Sequence, residues 1–142
     1  MLKHSQKESG RGFVGIMIGV AIFVLLLRIS LEQVIKINIV QNQSYAQSVL
    51  KTISTALENY AKDHLGVFPP ELALLTRSQP PYLDKEYVKQ PVLKGYNFSC
   101  TRLEPSGYTC VAAPLKCMLT GRLGYSISTG GLITSEDCLK KD

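Results

Sequence analysis

The sequence predicts an α+β fold: a long N-terminal spine helix packed on a small antiparallel β-sheet, with a disulfide-stapled C-terminal region. Three observations predict it. From Val20 through Leu65 there is neither glycine nor proline, the strongest helix breakers. Beyond Pro69-Pro70 the pattern changes to short alternating stretches separated by Pro, Ser and Gly turn signals. All four cysteines, Cys100, Cys110, Cys117 and Cys138, fall in the last third of the chain.

The chain opens on a short basic leader, residues 1–12, with Lys3, Lys7 and Arg11 against Glu8. Residues 13–27 then read FVGIMIGVAIFVLLL, without a charge. As helix this run covers roughly 22 Å, short of a hydrocarbon core of about 30 Å. Arg28 interrupts, but Ile29, Leu31, Val34, Ile35, Ile37, Ile39 and Val40 keep the segment apolar. Arg28 can snorkel toward the far headgroups while the helix continues. The basic leader places the N-terminus in the cytoplasm and the remainder across the membrane. A secretory signal peptide competes with this reading, yet Ile29-Ser30-Leu31 makes a poor small-x-small cleavage site after Leu27 and the helical pattern continues unbroken. An uncleaved signal anchor also competes and stays open.

One helix over residues 20–65 would extend roughly 69 Å. Its first half is apolar nearly all round. In its second half Val49, Leu50, Ile53, Ala56, Leu57, Tyr60 and Ala61 recur at three- and four-residue steps, a single stripe suited to a globular core. No clean heptad persists, which argues against a coiled coil. Gly66 followed by Pro69-Pro70 ends the helix. The predicted division is therefore a leader (1–12), a helix (13–65) and a globular head (66–142). Within the helix, residues 13–35 form the membrane or filament core and residues 36–65 lie on the head.

In the head, residues 71–76 (ELALLT) predict a short helix with proline in its first turn. Residues 94–104 and 108–113 predict a hairpin about Pro105-Ser106-Gly107. Residues 123–129 and 132–134 predict a second hairpin about Gly130-Gly131. Tyr96, Tyr108 and Tyr125 are expected in the core or in strand pairs rather than as a platform for stacked bases.

A head of about 80 residues has a marginal core and benefits from staples. Four cysteines there read as two disulfides formed in an oxidising compartment. Three pairings are open, with preference for Cys100 with Cys110 and Cys117 with Cys138. Buried free thiols are the competing reading. A zinc site is disfavoured because no Cys-x-x-Cys occurs and neither His4 nor His64 is near the cysteines in sequence.

The net charge of +5 over 142 residues is too modest and too dispersed for a nucleic-acid footprint. No nucleophile–base set and no phosphate-binding loop is legible, so no enzyme activity, catalytic residue, metal or cofactor is expected. Gly12, Gly15 and Gly19 read as close helix packing. Glu136 and Asp137 are adjacent acids without the further oxygen ligands that calcium needs.

The leader, the Gly12-Phe13 junction and the apolar helix start resemble type IV pilin-like proteins, in particular the pseudopilins of type II secretion systems. The resemblance extends through residues 54–60 (STALENY), 66–70 (GVFPP) and 125–131 (YSISTGG). It implies that a prepilin peptidase cuts between Gly12 and Phe13 and methylates the Phe13 amine. It implies a structural subunit held in the inner membrane by one helix, its head in the periplasm or outside, later assembled with other pilin-like subunits into a filament. Phe13, Met17 and Arg28 are the expected assembly residues. The family usually has Glu where this chain has Met17, a departure pointing to a minor or specialised subunit. The spine also lacks the proline that often bends it. An uncleaved single-pass protein with a binding head, and a competence pilin that binds DNA, are the alternatives.

Overall fold

The computed structural model describes residues 9–90 and 92–140. Most of the predicted leader (residues 1–8, His4 included) lies outside the described residues, as do Pro91, Lys141 and Asp142. The element order is α1 (Ser9–Asp63), α2 (Ala73–Arg77), β1 (Tyr96–Glu104), β2 (Gly107–Pro114), β3 (Leu123–Ser128) and β4 (Leu132–Asp137). The four strands form one antiparallel sheet in the order β1-β2-β3-β4. The fold is α+β. Two units divide the chain, Met1–Ile37 and Asn38–Asp142.

In the first unit the described residues are helical from Ser9. Helix therefore starts within the stretch read as leader, ahead of the predicted start at residue 13. Nothing in the sequence between Ser9 and Phe13 breaks a helix strongly enough to delay it, Gly10 and Gly12 notwithstanding.

In the second unit the predicted stripe becomes the core. Ala46, Val49, Leu50, Ile53, Ala56, Leu57 and Ala61 are buried on one face of α1, and Tyr60 packs at its margin. Opposite stand Tyr96 and Phe98 of β1, Tyr108, Cys110 and Ala112 of β2, and Tyr125 and Ile127 of β3. Alternation places these on one face because successive strand residues point to opposite sides. The register then aligns them: Phe98 pairs with Ala112, Ala112 with Tyr125, and Cys110 with Ile127. Full burial of a Leu or Ile contributes about 1.5–3 kcal/mol, so Leu50, Ile53 and Leu57 are major anchors of helix to sheet.

Within the head, β4 runs on to Asp137, beyond the predicted residue 134, and other boundaries depart from expectation as well. The helix ends at Asp63, and Leu65 (φ 59°) takes the left-handed conformation alongside Gly66 (φ 85°). The Gly66 N–H reaches back to the Ala61 carbonyl at 2.7 Å, the six-residue closure of a Schellman-type cap. Helix α2 begins at Ala73, so Pro70 stays outside it. Strand β1 begins at Tyr96 because Lys94 (φ 48°) and Gly95 (φ 72°) are both left-handed, which is incompatible with extended strand.

Candidate assembly helix and its head

The predicted processing junction lies within α1, at Gly12 and Phe13. Phe13 is 64% exposed and Met17 is 59% exposed. Arg28 is exposed as well. A Cβ placed on Gly12, Gly15 or Gly19 would meet no neighbouring atom within 4 Å. The large apolar residues from Phe13 to Leu27 are exposed on every side of the helix, from 48% at Leu27 to 67% at Ile16. The helix is long and apolar enough to cross a membrane.

The head is tied to its own stretch of α1 at two places along that stretch. Near Asn38, the Asn42 side-chain amide donates to the Thr120 carbonyl at 2.9 Å. The Gln43 side-chain oxygen, with the amide turned to satisfy both, accepts from the Arg122 and Leu123 N–H groups at 3.2 and 3.1 Å. Tyr96 donates to the Leu123 carbonyl at 2.7 Å. Two glycines permit this close approach. A Cβ on Gly95 would meet Thr120 Cβ at 2.6 Å, and one on Gly121 would overlap the Tyr96 ring.

Toward Asp63, Ser54, Glu58, Tyr108 and Gly130 form a second tie. Tyr108 donates to Glu58 Oε1 at 3.0 Å, and the same oxygen accepts from the Gly130 N–H at 2.7 Å. Ser54 Oγ lies 2.7 Å from the Tyr108 hydroxyl, so with Tyr108 donating to Glu58, Ser54 donates to Tyr108. Ser54 is the buried polar residue of this face, and these bonds satisfy it. Burial pushes the Tyr108 phenol up to about 12, Ser54 opposes the shift and Glu58 adds to it. Burial likewise raises Tyr96 to about 12, with Tyr125 adding and Gln43 opposing. In the segment after α2, burial and then the Asp84 hydrogen bond raise Tyr87 to about 12. The Tyr82 phenol is raised chiefly by its hydrogen bond to Asp63, at 2.6 Å.

Two disulfides staple the head, Cys100–Cys110 and Cys117–Cys138, the pairing preferred from the sequence. The first joins register partners of β1 and β2. The second fastens the loop between β2 and β3 to the residue after β4.

The remaining sequence candidates are dispersed. His64 stacks on Tyr60 with ring centres 3.9 Å apart, and its Nδ1 is 2.8 Å from the Tyr60 carbonyl oxygen. Asp137 is engaged by Arg122 at 3.4 Å and by the Leu139 N–H at 3.1 Å, while Glu136 projects from β4 into solvent. Among the described residues, no three His, Cys, Asp or Glu side chains gather where they could hold a metal ion. Sequence reasoning missed the anchoring roles of Asn42, Gln43, Ser54 and Glu58. The one available signal was the polar residues Ser54 and Glu58 bordering an otherwise apolar stripe. Comparisons with known protein families, with curated proteins and with solved structures find no match to the chain.

Proposed function

We propose that the chain is a structural subunit of a type IV pilus or type II secretion pseudopilus, cut after Gly12 and assembled through its apolar N-terminal helix. One observation carries the reading. The residues of α1 up to Val40 expose large apolar side chains on all sides, whereas from Ala46 onward one stripe is buried under a disulfide-stapled sheet. The exposed part demands an apolar surrounding, first lipid and then neighbouring subunits. The stapled head suits an oxidising compartment outside the cytoplasm.

Under this reading the subunit is stored in the inner membrane as a single-pass protein. A prepilin peptidase releases residues 1–12 and methylates the Phe13 amine. Helices of neighbouring subunits then replace lipid around residues 13–35. Met17 offers no carboxylate to a neighbour's amine, so the subunit joins a filament through apolar packing alone at that level, which suits a minor or tip position. Cryo-electron microscopy of native surface fibres tests the proposal. The expected result is density for this head on a fibre whose centre is filled by helices. Fibres from which this chain is wholly missing, with all of it retained in the membrane, would overturn it.

A further inference from the structure

We propose that the Cys117–Cys138 disulfide is a redox latch: a dithiol opens it while Cys100–Cys110 stays closed, and opening frees the loop between β2 and β3. Burial separates the two bonds. Cys110 is 1% exposed, and its partner Cys100 is half-buried. A thiolate that attacks Cys100 must expel the Cys110 thiolate into the core it shares with Tyr108, Ala112 and Ile127, where an unpaired charge is costly. Burial shuts off attack on Cys110 itself. Cys117 and Cys138 are both half-buried, and both line one cleft on the surface of the head. Either sulfur can be attacked there, and either can leave as a thiolate in contact with water. Charge does not decide the contrast, because Lys116, Arg122 and Lys140 stand near this bond against Glu136 and Asp137.

The latch closes a loop under backbone strain. Met118 has φ 67°, a left-handed conformation that a residue with a side chain keeps only where its surroundings impose it. Within the loop the Met118 N–H bonds the Gly121 carbonyl at 2.9 Å, and the Lys116 carbonyl accepts from Leu119 and Thr120 at 3.2 and 2.9 Å. Lys116, Met118 and Leu119 are exposed, so water competes for these bonds and each contributes little net. The disulfide, next to Met118, is the link that water cannot replace. It fastens the loop to Cys138, whose own N–H bonds the Arg122 carbonyl at 3.0 Å. The same loop carries the Thr120 carbonyl that Asn42 bonds at 2.9 Å, and Gly121, which packs against the Tyr96 ring. Opening the latch lets Met118 relax and loosens that tie to α1. In the opening step one thiolate of the dithiol bonds to one latch sulfur and expels the other, which takes up a proton. The second thiol of the dithiol gives up its proton and attacks the mixed disulfide, closing its own disulfide and releasing the second cysteine as a thiol. The latch thus gains two electrons and two protons, and the dithiol is oxidised by the same amount.

The latch concerns the head alone, so it stands or falls apart from filament assembly. Its test uses the full chain in detergent, with dithiothreitol as the dithiol, acid quenching, alkylation and peptide mass spectrometry. The expected result is alkylation of Cys117 and Cys138 at least about tenfold faster than of Cys100 and Cys110, while circular dichroism remains native. Amide exchange at residues 116–122 should then rise about tenfold, with β1 and β2 unchanged. Met118→Gly removes the left-handed cost from the closed loop. It should shift the dithiol equilibrium about fivefold or more toward the disulfide, a shift that Met118→Ala should not give. Opening of Cys100–Cys110 first, opening of both bonds together, or reduction only with unfolding would overturn the latch. So would selective reduction without faster exchange in the loop, or equal equilibria for Met118→Gly and Met118→Ala.

Discussion

One oxygen of Glu58 accepts both the Tyr108 hydroxyl and the Gly130 N–H, at 3.0 and 2.7 Å. A single carboxylate on the helix thus holds strand β2 and the β3–β4 turn together. Replacing Glu58 by Ala removes a charged acceptor and leaves the hydroxyl of the buried Tyr108 without it. The expected loss is about 1–3 kcal/mol of head stability, read by thermal unfolding of the full chain in detergent. Glu58→Gln, which keeps an acceptor oxygen, should recover part of it. Equal melting of all three proteins would show that the tie contributes nothing.

The phenols of Tyr87, Tyr96 and Tyr108 give the head an alkaline limit. Each is raised from 10.0 to about 12 in the folded protein. A raised folded pKa means that the unfolded chain loses its proton first. Stability from these groups is therefore complete below pH about 10 and drains away as pH rises toward about 12. Tyrosinate absorbance should show these three ionising late, or together with unfolding, and Tyr96→Phe should flatten part of the pH dependence. Ionisation of all tyrosines near pH 10 without unfolding would contradict it.

The two disulfides should differ in what their removal does. Cys117 and Cys138 are 21 residues apart, Cys100 and Cys110 are 10 apart. Loop closure alone favours the longer link by only about 0.6 kcal/mol. Each double Cys→Ala variant should lose about 2–4 kcal/mol. Cys110 lies in the core, so its variant also loses packing, whereas the Cys117/Cys138 variant frees the loop that carries Leu119. Faster hydrogen exchange confined to that loop would be the signature of the second change.

Equal substitutions along α1 should have unequal effects. Leu57→Ala removes a fully buried side chain and should cost the head about 2–5 kcal/mol. Leu25 is 61% exposed, and Leu25→Ala should leave head stability in detergent unchanged within about 0.5 kcal/mol. A comparable loss from both would mean that residues near Leu25 are covered by the head.

If the chain assembles as proposed, Met17→Glu should be tolerated in assembly or should improve incorporation into fibres, because it would supply a carboxylate to meet a neighbour's amine. Immunolabelling of sheared fibres checks this. Exclusion of the variant from every fibre would count against the assembly role given to residue 17.

Periodicity made the helix and its buried stripe legible, since Val49, Leu50, Ile53 and Leu57 announce one face by spacing alone. Alternation and turn residues made both hairpins legible, and the first hairpin brings Cys100 to Cys110 by local pairing. The ties between helix and head were not legible. Asn42 to Thr120 and Glu58 to Gly130 join residues far apart in sequence, and a single polar side chain leaves no periodic trace of its partner. The helix end was misplaced because Gly66 looks like the left-handed residue, whereas Leu65 adopts that conformation too and lets Gly66 close the cap. Strand β1 was started too early because alternation in residues 94–104 conceals the two left-handed residues at its head.

The most direct measurement is mass spectrometry of the N-terminus of the native protein. An N-terminus at methylated Phe13 is the result expected of a processed filament subunit. An intact N-terminus at Met1 in fibre-forming cells would contradict it and leave an uncleaved single-pass protein in its place.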